Sequence, residues 1–300
     1  MIAGGSGFIG SALAREFSRR ENTVAVLTRS PRKRADGIQE IAWDGKNSGE
    51  WCQALEGAQA VVNLTGKNIN CPHTPENLRA ITASRVDSVQ ALAAAMAGLK
   101  TPPRVWVQAG ATGFYGDTGD TLCDETAPGG DNALARICRE WEAAFAAVPL
   151  ASTRKVTLRI GFVLGHEGGA LPVLSRLTNW FLGGTAGSGR QYISWIHLAD
   201  LVEMFVRAVG NENWAGTFNA VAPNAVTNVE FMRELRRALH RPWSPPAPAL
   251  AVKLGAWLMG SEPSLALISQ RCAPGRLAEA GFPFQFSELA AALRDLCPQR

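Results

Sequence analysis

A chain of 300 residues with 46% hydrophobic residues, 19% charged residues and a formal net charge of +4 has the balance of a single soluble, enzyme-like unit with a substantial buried core. Its Lys and Arg cluster densely at one loop alone, which speaks against nucleic acid, and its longest apolar stretches, such as Ala91 to Leu99, fall short of the roughly 18 residues that span a bilayer. Six scattered cysteines without a C-x-x-C pair, four histidines without metal-ligand spacing and an N-terminus without a basic leader predict free thiols in a reducing cytoplasm and no metal site.

The first predicted element is a strand at Met1-Ile2-Ala3, shorter than usual, followed by Gly4-Gly5-Ser6-Gly7-Phe8-Ile9-Gly10. This G-x-x-G-x-x-G spacing opens a helix running to Arg20 and predicts a dinucleotide site. Gly4 makes the tight turn, Gly7 admits a pyrophosphate to the backbone, and Gly10 lets the helix pack on the sheet. Phe8 and Ile9 then flank phosphates at the helix N-terminus. A glycine-rich turn without a ligand is the alternative. So short a first strand is expected to hold the Gly4 turn less firmly than usual.

Thr23 to Thr28 reads as the second strand, and the residue after it selects the nicotinamide cofactor. A carboxylate there would accept from a ribose 2′-hydroxyl; instead, Thr28-Arg29-Ser30-Pro31-Arg32-Lys33-Arg34 presents a hydroxyl and a guanidinium, which favours a 2′-phosphate and NADP(H) over NAD(H). The alternative for this run is a solvated basic loop.

Strands at Ile38 to Trp43, Ala58 to Leu64, Arg104 to Ala109 and Val156 to Ile160 alternate with helices, notably Thr74 to Met96 and Asp131 to Ala147. The pattern predicts an α/β fold, a Rossmann-like doubly wound parallel sheet with a smaller, mostly helical C-terminal substrate-side region. The expected division is a dinucleotide-binding part over residues 1–165 with a return segment near 190–222, a substrate-side region over 166–240, and a C-terminal module over 241–300. His240 to Pro248 is a proline-rich connector, and Phe286 to Leu296 has the amphipathic spacing of a packing helix.

Gly4 to Gly10, Val61-Val62-Asn63-Leu64-Thr65-Gly66, Ser84-Arg85, Ala111 to Asp117, Gly187 to Tyr192 and Trp195 to Asp200 are specific when taken together. Over essentially its whole length the chain resembles an atypical extended short-chain dehydrogenase/reductase, of the epimerase-like family whose C-terminal module has no known role. The resemblance implies that Leu64, Thr65 and Gly66 line the cofactor, that Arg85 reaches cofactor or substrate, and that Arg159 to Val163 pass near the nicotinamide. A helix-surface salt bridge is the alternative for Arg85.

Ordinary members of that superfamily carry a Tyr and, four residues on, a Lys that exchange a proton during hydride transfer. Aligning Glu142 with the acidic residue usual in that helix puts Leu134 and Cys138 in the two places, and neither relays a proton. The candidate replacement acid is Tyr115, with Thr112 the nearest hydroxyl; a packing aromatic that shapes the pocket is the alternative for Tyr115. Asp117, Asp120, Asp124 and Glu125 form either a proton relay or a solvated loop. On the substrate side the candidates are Arg190, Tyr192 and His197, the last alternatively a satisfied structural histidine.

Two functions are therefore expected from different classes. One is an NADP(H)-dependent oxidoreductase or epimerase acting on a small polar, sugar-like substrate. The other is a catalytically degenerate NADP(H)-binding sensor or scaffold. The expected partners are the small-molecule substrate and at most a second copy of the chain in a homodimer.

Overall fold

Short apolar runs with two-residue alternation become the strands of one parallel sheet in the computed structural model, which describes residues 1–250, 252 and 262–297. In chain order the strands are β1 (Ile2–Ala3), β2 (Ala25–Thr28), β3 (Gln39–Ala42), β4 (Ala60–Asn63), β5 (Val105–Ala111), β6 (Arg154–Ile160), β7 (Phe162–Leu164), β8 (Tyr192–Ile193), β9 (Trp195–His197), β10 (Gly216–Ala220) and β11 (Val226–Thr227). Seven of them lie in the order β10-β6-β5-β4-β1-β2-β3, and every pairing is parallel. The order reverses between β1 and β4.

Parallel neighbours need crossovers, and helices supply most of them. These are α1 (Phe8–Arg19) between β1 and β2, α2 (Pro75–Ala97) between β4 and β5, α3 (Ala133–Ala146) between β5 and β6, and α5 (Leu198–Gly210) before β10. The starts of α2 and α3 are fixed by side chains, with Thr74 accepting from the Asn77 N–H and Asn132 from the Ala135 N–H. Adjacent strand residues point to opposite faces. Ile2, Val26, Val62 and Val107 meet α1 and α5, while Ala3, Leu27, Val61 and Trp106 meet α2 and α3.

The first strand is short, as expected, at two residues. It lies at the sheet centre and pairs on both sides, the Met1 amino group donates to the Ala60 carbonyl at 2.8 Å, and the Gly4 N–H donates to the Leu27 carbonyl at 3.0 Å. A strand flanked on both sides needs little length of its own.

At Gly161 the chain leaves the main sheet. A Cβ there would stand 2.4 Å from the Ser194 carbonyl oxygen, so only glycine lets β7 turn away and pair in parallel with β9. Helices α4 (Leu171–Asn179) and α6 (Asn228–Ala238) and the C-terminal helix Leu289–Leu296 complete a third apolar cluster with β9. The C-terminal helix begins three residues later than its amphipathic pattern suggests. The Asp200 carboxylate accepts from the backbone N–H groups of Gln285 and Phe286 and keeps that entry extended. The proline-rich connector carries a single isolated bridge, between Ala186 and Ala247. Of the tail expected to be mostly helical, residues 251, 253–261 and 298–300 lie outside the described residues.

Two glycines separate packing need from turn preference. A Cβ on Gly10 would stand 2.5 Å from Gly5 Cα and 2.6 Å from the Gly4 carbonyl oxygen, whereas one on Gly98 would meet open space in a right-handed backbone. Gly10→Ala should cost about 1–3 kcal/mol in urea denaturation and Gly98→Ala should be neutral or stabilise by up to about 1 kcal/mol. Equal midpoints for the two variants would contradict this packing.

Candidate functional site

Where strand order reverses in an open parallel sheet, the loops after the carboxyl ends diverge and leave a crest that can take a ligand. Here that crest is built by the turns after β1 and β2, the loop after β4, the short helical turn Thr112–Tyr115 after β5, and the β6 to β7 junction.

The glycine run makes the first wall. Gly4 adopts φ +75°, and a Cβ on it would meet the Leu64 carbonyl carbon at 3.0 Å, so the turns after β1 and β4 touch through backbone alone. Helix α1 starts at Phe8 with no side-chain cap on Gly7; its first internal bond runs from the Ser11 N–H to the Gly7 carbonyl, leaving the N–H groups of Phe8, Ile9 and Gly10 free of intrahelical partners. The Phe8 ring is engaged elsewhere, packed where Cβ atoms on Gly165 and Gly168 would stand, 2.6 and 2.7 Å away. Phe8 therefore offers this crest only its backbone. Thr28 is buried and its hydroxyl is 2.9 Å from that of Ser6. Beyond it, Arg34 is neutralised by Asp36 and Glu40, but Arg29, Arg32 and Lys33 are exposed and have no ion-pair partner among the described residues.

The loop after β4 forms the second wall. Thr65 has its N–H bonded to the Asn63 side chain, while its buried hydroxyl has no hydrogen-bond partner among the described residues. Arg85, on α2, lies directly against Gly66, where a Cβ would stand 3.0 Å from the guanidinium carbon. Its Nη1 donates to the carbonyls of Lys67 and Ile81, its guanidinium covers the Trp141 ring at 5.1 Å, and burial pushes its pKa below the usual value. Arg85 thus makes no helix-surface salt bridge; it braces the β4 loop. Cys138 faces this region from α3, and burial pushes its thiol up to about 12.

The third wall is a buried polar network at the ends of β5, β6 and β10. Arg159 donates from Nε and Nη2 to both Glu142 oxygens at 2.9 and 2.8 Å, and from Nη1 to the Tyr115 hydroxyl at 2.8 Å. Its guanidinium carbon lies 3.5 Å from the Phe114 ring centroid. Burial opposes the Arg159 charge, but Glu142 and Tyr115 outweigh it and hold the pKa above the usual value. Gly110, opposite Arg159 in the sheet, leaves room for the Glu142 carboxylate.

Tyr115 donates its phenolic hydrogen to Asn219 Oδ1 at 2.8 Å and is only 4% exposed. Its donor and acceptor roles are both filled inside the protein. Burial pushes its pKa up to about 12, against the smaller opposing influence of Arg159. Thr112, also buried, donates to Gln270 Oε1 at 2.8 Å.

Gln270 belongs to a strap, residues 269–273, stitched along both sides. On one side Thr118 N–H donates to the Ser269 carbonyl, Cys123 N–H to the Arg271 carbonyl and Ala273 N–H to the Cys123 carbonyl. On the other, Gln270 N–H donates to the Tyr192 carbonyl, and the Ser194 hydroxyl donates to the Gln270 carbonyl. Of the acidic loop expected to be a relay or solvated, Asp117, Asp120 and Asp124 are exposed, while Asp117 also accepts from the Ser269 N–H and Glu125 accepts from the N–H groups of Asn219 and Arg276.

The substrate-side candidates separate. Tyr192 lies against the strap, under the Arg271 guanidinium at 4.7 Å. Arg190 is exposed, and its guanidinium has no ion-pair partner among the described residues. The Nδ1 of His197 accepts from the Ala199 N–H as the cap of α5, its ring stacks on Phe286 at 3.9 Å, and Nε2 stands 3.3 Å from Asp295. It fastens the C-terminal helix, and burial pushes its pKa down. Val163 packs into the core beside α5.

Two hollows lie away from this crest, one at the opposite sheet edge beside Arg104, Thr153 and Glu212, the other beside α1 between Arg15, His166 and His197. Among the described residues no group of three or more His, Cys, Asp or Glu could hold a metal ion, and no helix is long and apolar enough to cross a membrane. Sequence reasoning missed Gln270 and the Arg159 network. An arginine among the buried residues at the end of β6 could have flagged the latter; nothing local marks Gln270.

Comparison with known proteins agrees with this architecture. The profile of the NAD dependent epimerase/dehydratase family matches residues 1–220, and a domain of unknown function (DUF1731) matches residues 247–296. The chain is 35% identical over 298 residues to the epimerase family protein SDR39U1 homolog, chloroplastic, of Arabidopsis thaliana, covering 98% of this chain and 85% of that protein. It is similar to the crystal structure of human epimerase family protein SDR39U1 (isoform 2) with NADPH, with a TM-score of 0.86 and 32% identity over 99% of this chain and 98% of that one. A nucleoside-diphosphate sugar epimerase from Corynebacterium glutamicum superposes with a TM-score of 0.79 and 32% identity, over 99% of this chain and 57% of that one.

The buried phenol makes an alkaline test. Tyr115 has a folded pKa of about 12 against a reference of 10.0, so the folded state holds the extra proton and stability falls as pH rises from about 10 to 12. In a Tyr192→Phe background, phenolate absorbance should be absent until about pH 12. Ionisation near pH 10 in the folded chain would show that the hydroxyl is open to solvent.

Proposed function

The chain belongs to the NAD dependent epimerase/dehydratase family, and on that premise we propose that it binds NADP(H) in the crest between β1 and β4 and acts as an oxidoreductase or epimerase on a small polar, sugar-like substrate. The observation that carries the reading is the cationic loop after β2, where Arg29 sits beside Ser30 with no carboxylate to neutralise it among the described residues. A human relative 32% identical has a crystal structure with NADPH, which supports the same choice.

The residues fit such a group. The free N–H groups opening α1 suit a pyrophosphate, and around Gly7 the only atom close to a built Cβ is the Gly4 carbonyl oxygen, at 3.4 Å. Arg29 and Ser30 suit the 2′-phosphate. The partnerless Thr65 hydroxyl, with Leu64 and Gly66, suits a ribose or its linkage, and Arg85 and Val163 bound the nicotinamide side. When bound, the nicotinamide supplies or accepts hydride. The chain itself orients the two reactants and excludes water from between them. Tyr115 and Thr112 are the catalytic candidates of this crest; Tyr115 is tied to both Asn219 and Arg159, whereas Thr112 gives its hydrogen to Gln270 and keeps its acceptor role. Arg190 and Tyr192 belong to the substrate side.

That same tie favours a second reading. With Leu134 and Cys138 in the two proton-relay places and Tyr115 committed internally, the chain also suits a catalytically degenerate NADP(H)-binding sensor or scaffold. We assign the dinucleotide site to residues 1–165 with a return near 190–222, the substrate side to 166–240 and the C-terminal module to 241–300, in a cytoplasmic protein whose six cysteines are all free.

Fluorescence titration with NADPH and NADH, using the nine tryptophans as energy donors, tests the assignment. NADPH should bind tighter by about tenfold or more, and Arg29→Asp should abolish the preference. Absence of binding by either nucleotide would defeat both readings. With binding intact, loss of turnover in Thr112→Val would mark an enzyme, and a wild type that never consumes bound NADPH against a carbonyl panel would mark the sensor.

A further inference from the structure

We infer that the C-terminal strap completes the substrate wall and that Gln270 presents its side-chain amide to a carbonyl or hydroxyl oxygen of the substrate. The inference rests on the NADP(H) reading for what lies opposite, and on the strap itself for geometry. The backbone of Gln270 is fixed at both ends, its N–H on the Tyr192 carbonyl at 2.9 Å and its carbonyl under the Ser194 hydroxyl at 2.8 Å. Only the side chain can move, and the Thr112 hydroxyl pins it by donating to Oε1 at 2.8 Å.

That bond leaves a defined residue of chemistry. Once Oε1 accepts the Thr112 hydrogen, the Gln270 amide keeps two Nε2 hydrogens, and they have no partner among the described residues. Thr112 has given its hydrogen away and keeps lone pairs. Gly113 adds no side chain beside them; a Cβ there would stand 3.5 Å from Cys138 Sγ and 3.9 Å from Gln270 Nε2.

Such a pair of groups can hold the same oxygen in either oxidation state. A carbonyl oxygen accepts from Gln270 Nε2. The corresponding hydroxyl accepts from Nε2 and donates to Thr112 Oγ1. Positions 134 and 138, which in the resembled enzymes hold the groups for this oxygen, are Leu and a thiol that burial keeps protonated. The donor has instead arrived from a segment more than a hundred residues downstream in sequence. An amide can orient and polarise a carbonyl but cannot give up a proton at ordinary pH, so Gln270 is a substrate-binding residue and not a replacement acid.

The test uses the full chain labelled with [15N]glutamine, with and without NADP+, and two probes of one size, cyclohexanone and cyclohexanol. The Gln270 side-chain amide signals are identified by their loss in Gln270→Leu. Cyclohexanone should shift them saturably. Gln270→Glu still accepts from Thr112 but has no N–H, so it should bind cyclohexanone about three- to tenfold more weakly while NADPH affinity stays within about twofold of wild type. Thr112→Val, which leaves the strap intact, should weaken cyclohexanol more than cyclohexanone. Amide signals unmoved by either probe, or Gln270→Glu holding cyclohexanone as tightly as wild type, would overturn the inference. A wild type that binds no nucleotide would defeat the NADP(H) reading instead, and the probe titration on the free chain would still decide Gln270.

Discussion

A guanidinium placed in the interior must be paired, because an isolated buried charge is far more expensive than any packing gain can offset. Arg159 sits at the carboxyl end of β6 with its sheet neighbours Gly110 and Asn219 on either side, and the crest is arranged to satisfy it. Glu142 reaches it from α3 with both oxygens, over the space that Gly110 leaves empty. Tyr115 reaches it from the turn after β5, and the Phe114 ring covers its face. Breaking such a pair by removing one partner costs about 3–5 kcal/mol, so three strands and one helix are locked in register around a single side chain.

The C-terminal segment is held by the same atoms. Tyr115 donates to Asn219 Oδ1, and the Asn219 amide nitrogen donates onward to the Ala273 carbonyl. Glu125 bonds the Asn219 N–H with one oxygen and the Arg276 N–H with the other. The strap is thereby referenced to the sheet through the Arg159 network rather than docked as an independent body. That explains why Gln270 can meet Thr112 with hydrogen-bond accuracy from so distant a place in the sequence. At the far end, Asp200 and His197, two polar groups at the start of α5, reach partners beyond residue 284: Asp200 the Gln285 and Phe286 N–H groups, His197 the Phe286 ring and Asp295.

What could be read in the sequence was what depends on local backbone. Gly4 and Gly10 are fixed by sterics within a few residues, so their spacing announced the turn and helix; the alternation of apolar runs announced a parallel sheet, because each such strand is buried on both faces. What could not be read depends on long-range partners. Asp117 and Glu125 looked like a relay or a solvated loop since the N–H groups they accept from lie roughly 90 to 150 residues away. Phe8 sits in the fingerprint, yet its ring is taken by a glycine loop near residue 168. His197 offered two meanings, and the Phe286 ring stacked on it comes from far along the chain. The shortness of β1 could be read, but its pairing on both sides is invisible in three residues.

The same electrostatics accounts for the missing catalytic lysine. Cys138 occupies its place on α3, within the influence of two guanidiniums, Arg85 from α2 and Arg159 from β6, with Glu142 the carboxylate acting on it. Glu142 is already bound at both oxygens by Arg159, so a lysine at 138 would bring a third cation into a buried cluster with no free counter-charge. A small neutral thiol relieves that repulsion. Positive charge near this crest has therefore moved from the helix that carries it in the resembled enzymes to a neighbouring helix and to the sheet. There Arg85 braces the loop after β4, and Arg159 donates to the Tyr115 hydroxyl, where its pull on the phenol is outweighed by burial. The loss of the Tyr and Lys pair and the gain of a buried arginine network are then two sides of one rearrangement. In that arrangement the groups left to meet a substrate oxygen are neutral, a hydroxyl and an amide.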